Sequence, residues 1–199
     1  MPVQNLEAYL MRFSPPQLRV IVADSETEFV DAVEMSLEAA IQHMEAGAQY
    51  NYNRHEPALA HELAGCLGGG GLHVQNEAHS NGHVDITVVH WRHVGWRMLG
   101  ECKIYRYPAH HINGCKQIMD RYATGRLPRA FCLDFFQEDE IQQKMQGIRN
   151  EMDANLPLQQ QGPSHNHAIH WAFLTIHRHS SGEDITILNA GCNVYFNGA

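Results

Sequence analysis

The sequence predicts an α/β fold in which a β-sheet is flanked by helices. Two observations predict this class. Some segments repeat apolar residues every three or four positions, as amphipathic helices do, whereas others are short and rich in β-branched and aromatic residues. Both kinds occur in one chain of 199 residues, which is long enough for one domain with a substantial core. We therefore expect a single domain over residues 1–199.

Two helices are predicted in the first part of the chain. Residues 26–46 have the apolar spacing of an amphipathic helix that ends near Gly47, and residues 1–46 should form a helical extension. A second helix fits residues 56–67, with Pro57 in its first turn and the glycine run 68–71 as its stop. That run lacks the Lys and Ser/Thr of a phosphate-binding loop, so we interpret it as a flexible turn.

The remaining predicted elements are strands and helices in the second two thirds of the chain. The strands lie at about residues 72–77, 84–91, 96–105, 129–136, 168–177 and 184–196, and the helices lie at 112–123 and 138–152. Because short turns join them, the first three strands should form a meander, and the last two should form an added C-terminal β-hairpin.

Composition excludes several classes of protein. A chain that is 44% hydrophobic and 18% charged has the composition of an ordinary globular protein. It contains neither an apolar run near the length of a membrane span nor a signal peptide, so we expect a cytoplasmic protein without a membrane partner. Its five cysteines include no C-x-x-C pair, and therefore predict neither a disulfide framework nor a cysteine zinc site.

Charge is distributed unevenly along the chain. The net charge of −8 argues against a protein that coats nucleic acid nonspecifically, but residues 92–129 contain eight basic and two acidic residues, a local net charge of +6. This basic window is either a polyanion-binding site or a solvated helix face, and charge alone favours neither.

Three charged residues in predicted strands, Asp85, Glu101 and Lys103, need a partner or a ligand, because burying an unpaired ion is costly. Side chains alternate across a strand, so Glu101 and Lys103 share one face while Cys102 faces the core. Strand pairing could bring Asp85 beside Glu101, and two close carboxylates repel unless a cation such as Mg²⁺ lies between them. The alternative is a surface salt bridge between Glu101 and Lys103.

The order of helices and strands around these residues is similar to that of a known protein superfamily. Within residues 54–136, a helix with a Glu, a glycine turn and a strand precede GHVDI, a strand ending in GECK and a helix with KQIMDRY. This order resembles the core of the PD-(D/E)xK, or restriction-endonuclease-like, nuclease superfamily. Asp85, Glu101 and Lys103 match its motif, although Val84 replaces the Pro. The resemblance implies a mixed central β-sheet flanked by helices, with residues 137–199 as a C-terminal extension.

The resemblance also implies roles for nearby residues. Members often carry an acidic residue on the first core helix, and Glu56 is chosen over Glu62 because it lies on the apolar stripe; the alternative is an acidic helix cap. Gln117 and Tyr122 resemble a Gln and a Tyr near the metal site of some members, although they lie one residue further apart than in Q-x-x-x-Y. Tyr122 is expected in the core.

The function implied by the resemblance is a metal-dependent nuclease that hydrolyses phosphodiester bonds. Mg²⁺ or Mn²⁺ would be held by Asp85, Glu101 and the backbone carbonyl of Cys102. The residues expected to contact the nucleic-acid backbone are Arg106, Lys116 and Arg121. DNA is favoured over RNA because the superfamily mostly cuts DNA. Uncontrolled cutting would harm the host, so we also expect a homo-oligomer or a regulatory partner, as in a phage-defence or mobile-element nuclease.

Two alternatives to a nuclease remain open. The first is a noncatalytic nucleic-acid-binding or assembly module of the same fold. The second is a zinc protein based on histidine, because several histidines could gather at the end of the terminal hairpin or after the E-x-K strand. These histidines are His110, His111, His165, His167, His177 and His179.

Overall fold

A seven-stranded sheet with helices on both faces forms the centre of the molecule. The computed structural model describes residues 13–69, 72–79 and 83–198, together with residues 8 and 11. The strands are β1 (His73–His79), β2 (His83–Val89), β3 (Arg97–Ile104), β4 (Arg129–Phe136), β5 (His165–Asn166), β6 (Ala172–Arg178) and β7 (Asp184–Asn193). The helices are α1 (Pro15–Val22), α2 (Glu26–Ala46), α3 (Ala48–Asn51), α4 (Glu56–Gly69), α5 (Pro108–Gln117) and α6 (Ile141–Asn155), and a π-helical turn, Ile118–Tyr122, follows α5.

The sheet is mixed, with the strand order β1-β2-β3-β4-β7-β6-β5. Antiparallel pairing joins β1, β2 and β3 at one side and β7, β6 and β5 at the other, whereas β3, β4 and β7 are parallel. The predicted α/β class, the meander and the terminal hairpin are therefore confirmed. The hairpin is not a separate addition, however, because β7 pairs with β4 and so extends the central sheet.

The position of β4 in the sheet explains its sequence. Residues 130–136 of this strand are all buried, because β4 has a parallel neighbour on each side and helices cover both faces of the sheet. Strands buried on both faces have continuous apolar runs rather than alternating patterns. Asp134 interrupts the run, and it is fully buried.

Each face of the sheet has its own apolar core. On one face, residues of α2 and α4 such as Phe29 and Leu63 pack with Leu133. On the other face, Cys115 of α5 and Ile148 of α6 share a core that includes strand residues of the same sheet. Alternate side chains of β3 and β4 point to opposite faces, so each strand contributes to both cores.

The longest described helix, α2, is amphipathic. Its 21 residues bury Phe29 and Leu37, whereas Glu28 and Asp31 are exposed. It ends at Ala46 with Gly47 as its C-cap, as the sequence predicted. Among the residues that the structure describes, no helix has both the length and the apolar character needed to cross a bilayer.

Several predicted boundaries were wrong by a few residues. The helix predicted at 112–123 begins at Pro108, and its last turn is π-helical. Proline is favoured in the first turn of a helix, which explains this start. The helix predicted to stop before the glycine run extends to Gly69; Gly70 and Gly71 lie outside the described residues. The short helices α1 and α3 and the two-residue strand β5 were not predicted individually, because such short elements carry little periodicity.

Candidate active site

Strand pairing brings Asp85 and Glu101 together. Ile86 of β2 lies opposite Gly100 of β3, so the next positions along the two antiparallel strands are Asp85 and Glu101. The Asp85 carboxylate accepts a hydrogen bond of 2.8 Å from the backbone N–H of Cys102. Register thus places two carboxyl groups side by side where β3 continues beyond its pairing with β2.

Glu101 is almost completely buried, with 2% of its surface exposed. Its Oε1 atom lies 2.6 Å from Nζ of Lys103, whereas its Oε2 atom has no hydrogen-bond partner among the described residues. Burial and then the charge of Asp85 raise the pKa of Glu101 to about 7, against the opposing effect of Lys103. A buried carboxylate oxygen without a donor is a costly arrangement that a cation would relieve.

Glu56 reaches the same place from the first turn of α4. Its Oε1 atom lies 3.3 Å from Nζ of Lys103, and its Oε2 atom accepts a 3.0 Å hydrogen bond from the N–H of Ile104. Glu62, further along the same helix, instead lies 3.5 Å from Arg54. The structure therefore brings Glu56, rather than Glu62, to Lys103.

Lys103 lies between two carboxylates. Although burial alone lowers its pKa, the hydrogen bond with Glu101 and the charges of Glu101 and Glu56 raise the pKa above the ordinary value, so Lys103 remains protonated at neutral pH. Three carboxyl groups, those of Glu56, Asp85 and Glu101, meet around the single ammonium of Lys103 in the described part of the site. The site thus has an excess of negative charge, which suits a divalent cation.

The Cys102 side chain faces away from this cluster and is fully buried in the opposite core. Its backbone N–H donates to Asp85. In a β-strand the N–H and C=O of one residue face the same neighbouring strand, so the Cys102 carbonyl also faces the edge beside Asp85. The sequence-predicted carbonyl ligand is therefore adjacent to the carboxylates.

An open cavity of about 380 Å³ lies beside the carboxylate cluster. Its lining residues are Lys103, His110, Asn113, Lys116, Gln117, Asp120 and Arg121. Most of them project from α5 and the π-helical turn, and Lys103 connects the cavity to the carboxylates. A basic, hydrogen-bonding wall next to a candidate cation site can accommodate a phosphate group.

The π-helical turn accounts for the spacing of Gln117 and Tyr122. The N–H of Ala123 donates to the carbonyl of Ile118, five residues earlier, at 2.9 Å, so this turn contains one more residue than an α-helical turn. As a result, the Tyr122 hydroxyl donates to Oε1 of Gln117 at 3.3 Å. Tyr122 is buried, as expected, and orients a Gln117 side chain that lines the cavity.

The three residues predicted to contact nucleic acid are not equivalent. Arg121 is exposed at the cavity wall, and Lys116 lines the same wall but forms an ion pair with Asp120. Arg106 is exposed in the connection between β3 and α5, outside the described cavity lining. Another arginine of the basic window, Arg129, pairs with the buried Glu34 at 3.1 Å. Part of the basic window is therefore structural.

Sequence reasoning missed His110 and Asn113 as cavity residues. The signal was present, since positions 110, 113 and 117 recur at helical spacing on one face. For His110 the signal was lost because the predicted helix began at Ile112; Asn113 lay within that helix, but its shared face with Gln117 was not considered. A helix start at Pro108 would have placed His110 on the same face as Asn113 and Gln117.

Three histidines of the terminal hairpin region have separate partners. His167 lies 3.1 Å from Glu34, and His177 contacts the hydroxyl of Thr175 at 2.8 Å. His179 contacts Ser181 at 2.9 Å. The structure does not bring these side chains to one centre in the part of the chain that it describes, and they therefore do not form the histidine zinc site that was considered as an alternative.

No family model, no curated protein and no solved structure matches this chain. The function of the protein must therefore be inferred from its sequence and from the geometry of the site.

Proposed function

We propose that the protein is a metal-dependent nuclease of the PD-(D/E)xK type that hydrolyses phosphodiester bonds of nucleic acid. The observation that carries this proposal is the buried Oε2 atom of Glu101, which has no hydrogen-bond partner among the described residues and belongs to a group of carboxylates on adjacent strands and a helix. DNA is the first substrate to test because the superfamily that the sequence resembles mostly cuts DNA.

Mg²⁺ or Mn²⁺ fits the donor set of the site. The carboxylates of Asp85 and Glu101 and the carbonyl of Cys102 would hold it, since hard cations prefer such oxygen ligands. A bound divalent ion supplies Lewis acidity and lowers the pKa of a coordinated water. Its charge would also satisfy the Glu101 oxygen and reduce the repulsion between Glu101 and Asp85.

The side chains around the carboxylates have complementary roles in this proposal. Lys103, kept protonated by Glu101 and Glu56, donates a hydrogen bond to the attacking water or to a phosphate oxygen on which charge develops. Arg121 and Gln117, which line the cavity, bind the phosphate groups next to the scissile bond. Glu56 is a positioning residue, because it contacts Lys103 and the backbone of β3.

The proposal is tested by incubating the purified protein with plasmid, linear duplex, single-stranded DNA and RNA in the presence of Mg²⁺, Mn²⁺ or EDTA. We expect cleavage of at least one substrate with either metal and none with EDTA. Glu56→Gln should reduce the rate, whereas its matched control on the same helix, Glu62→Gln, should leave it unchanged. Metal-independent cleavage, or equal rates for the two variants, would contradict the proposed site.

We also propose that the cutting activity of the nuclease is restrained. A homo-oligomer or a regulatory partner that restrains cutting would suit a role in phage defence or in a mobile element. Gel filtration with light scattering, combined with the cleavage assay, tests this part. A strictly monomeric protein that is fully active alone at physiological salt would remove the reason for proposing restraint.

A specific observation also favours the second candidate, a noncatalytic binding module. The carboxylates of Asp85 and Glu56 accept hydrogen bonds from the N–H groups of Cys102 and Ile104, which β2 leaves unpaired where its pairing with β3 ends. Acidic residues can thus serve as caps for the edge of β3. A wild-type protein that binds nucleic acid but cuts none of the four substrates would select this candidate.

A further inference from the structure

A second cluster of chemically reactive side chains lies under α5, away from solvent. His111 and Cys115 are one turn apart on α5, while Cys132 and Asp134 lie on the same face of β4, and all four are completely buried. One ligand atom from each of His111, Cys115 and Cys132 lies within 4.8 Å of the others. The function proposed above uses none of these four side chains.

The tautomer of His111 is determined by Asn189 on β7. The amide nitrogen of Asn189 donates to the carbonyls of Phe173 and Ile187 and to the hydroxyl of Thr175, at 3.4, 3.1 and 3.0 Å. Its oxygen therefore faces His111 as an acceptor, 2.9 Å from Nε2, so Nε2 carries a proton. The other ring nitrogen, Nδ1, faces Cys132 and Asp134.

The surroundings of Asp134 indicate that a cation is required near Nδ1 of His111. Its Oδ2 atom lies 3.2 Å from Nδ1 of His111, within ion-pair range, but neither carboxylate oxygen makes a hydrogen bond to a described residue. Asp134 has no exposed surface through which water could compensate. A buried carboxylate in this position needs a cation, and the described partner that can supply one is a protonated His111, whose ion pair with Asp134 lacks the geometry of a hydrogen bond and leaves Oδ1 unsatisfied.

We infer that this cluster binds one Zn²⁺ through the thiolates of Cys115 and Cys132 and Nδ1 of His111, with the carboxylate of Asp134 as the fourth ligand. Tetrahedral Zn²⁺ with its usual bond lengths holds neighbouring ligand atoms about 3.3–3.8 Å apart. Nδ1 lies 3.2 Å from Asp134 Oδ2 and 3.8 Å from Cys132 Sγ. Asp134 is not within 4.8 Å of every other ligand atom, so its side chain would have to rotate when the ion binds.

The surroundings fit a structural zinc site rather than a catalytic one. All four ligands are buried, so no open position faces a substrate, as closed structural sites require. The hydrogen bond from Nε2 of His111 to Asn189 is the second-sphere contact that metal-bound histidines usually make. The ion would link α5 to β4 and so hold the helix that carries the cavity wall, whether or not the protein is a nuclease.

The inference is tested by the zinc content of the untagged full-length protein, purified without chelator and dialysed against Mg²⁺. We expect about one zinc per chain by mass spectrometry and release of that zinc when the thiols are blocked with a mercurial reagent. Cys115→Ser and Cys132→Ser should lose the zinc, whereas Cys66→Ser, which changes a half-buried cysteine outside the cluster, should retain it. Retention in the two cluster variants would overturn the inference.

A second measurement does not depend on whether the variants fold. Wild-type protein loaded with Co²⁺ in place of zinc should show the intense thiolate-to-cobalt charge-transfer absorption of a tetrahedral site, and added Mg²⁺ should not remove it. Wild-type protein that contains no zinc and shows no such absorption would overturn the inference. Because neither readout involves nucleic acid, failure of the nuclease proposal would be distinguishable from failure of this one.

Discussion

Substitutions of Lys103 and of Asp85 are expected to impair the proposed nuclease in different ways, one in turnover and the other in metal binding. Lys103→Ala removes a hydrogen-bond donor of the transition state but leaves both carboxylates, so metal binding should persist while turnover falls about a hundredfold or more. Asp85→Asn keeps the shape of the side chain but removes a ligand charge, so Mg²⁺ should bind weakly, and high Mn²⁺ should restore part of the activity. Calorimetric metal titration and single-turnover cleavage separate these outcomes.

The same two variants need a check on folding. Lys103 neutralises the buried Glu101, so Lys103→Ala should be compared with wild type at saturating Mg²⁺, where the ion supplies the missing charge. Circular dichroism and thermal unfolding under that condition provide the comparison. Wild-type cleavage rates in both variants would show that the site has been assigned to the wrong residues.

Metal affinity should depend on the protonation of Glu101. Burial and the Asp85 charge raise the pKa of Glu101 to about 7 in the metal-free protein, and a metal binds the deprotonated carboxylate. Affinity for Mg²⁺ should therefore rise as the pH increases through 7 and then level off, with release of about half a proton at pH 7. Titration calorimetry in buffers of different ionisation enthalpy measures that proton, and Glu101→Gln is the control that should release none.

The close packing of α5 against the sheet depends on a glycine. A Cβ atom at Gly114 would lie 2.8 Å from Sγ of Cys132 and 3.4 Å from Cγ of Lys103. Gly114→Ala should therefore lower the free energy of unfolding by about 1–3 kcal/mol, because overpacking exceeds the gain in helix propensity. Chemical denaturation measures the change.

The matched control for Gly114 lies on α6. Gly147 is also inside a helix, but a Cβ there would make only an ordinary contact of 3.9 Å with Pro108. Gly147→Ala should raise the free energy of unfolding by about 0.5–1 kcal/mol, because alanine loses less backbone entropy on folding. If both substitutions stabilise the protein, α5 does not pack closely against β4.

The charge of the cavity wall should control the salt dependence of nucleic-acid binding by the whole protein. Arg121→Glu should weaken binding and reduce the slope of log affinity against log salt by about one unit for each phosphate that the variant no longer binds. Lys116→Glu should have a smaller effect, because Asp120 already pairs with Lys116. Fluorescence anisotropy over a range of salt concentrations measures both slopes.

Arg19 is the control for charge reversal. It is exposed on α1, which packs against α2 rather than against the cavity wall. Arg19→Glu should change the net charge of the protein as much as Arg121→Glu does, yet leave the slope nearly unchanged. If all three variants bind with the wild-type slope, the basic window is a solvated helix face.

The common face of Glu101 and Lys103 follows from the sequence alone, because alternation along a strand is a local property. The proximity of Asp85 to Glu101 also follows from the sequence, because a short turn joins β2 to β3 and sets their register. Glu56 required a choice between two positions on one helix, because only packing decides where the start of α4 lies relative to β3. His110 was missed through an error in one helix boundary, whereas Asn113 lay within the predicted helix but was not assigned to the face of Gln117.

The features that can be derived from this sequence without a structure are local: the helical stripe of α2, the pairing of β2 with β3, and a strand that presents Glu101 and Lys103 together. The contacts between distant segments depend on the folded chain. Folding inserts β7 beside β4, sets Glu56 against Lys103, and brings His111 and Cys115 to Cys132, although no C-x-x-C spacing signals a metal site. The physical reason is that periodicity reports which face of an element is buried, whereas the partner of that face is chosen by packing across the whole sheet.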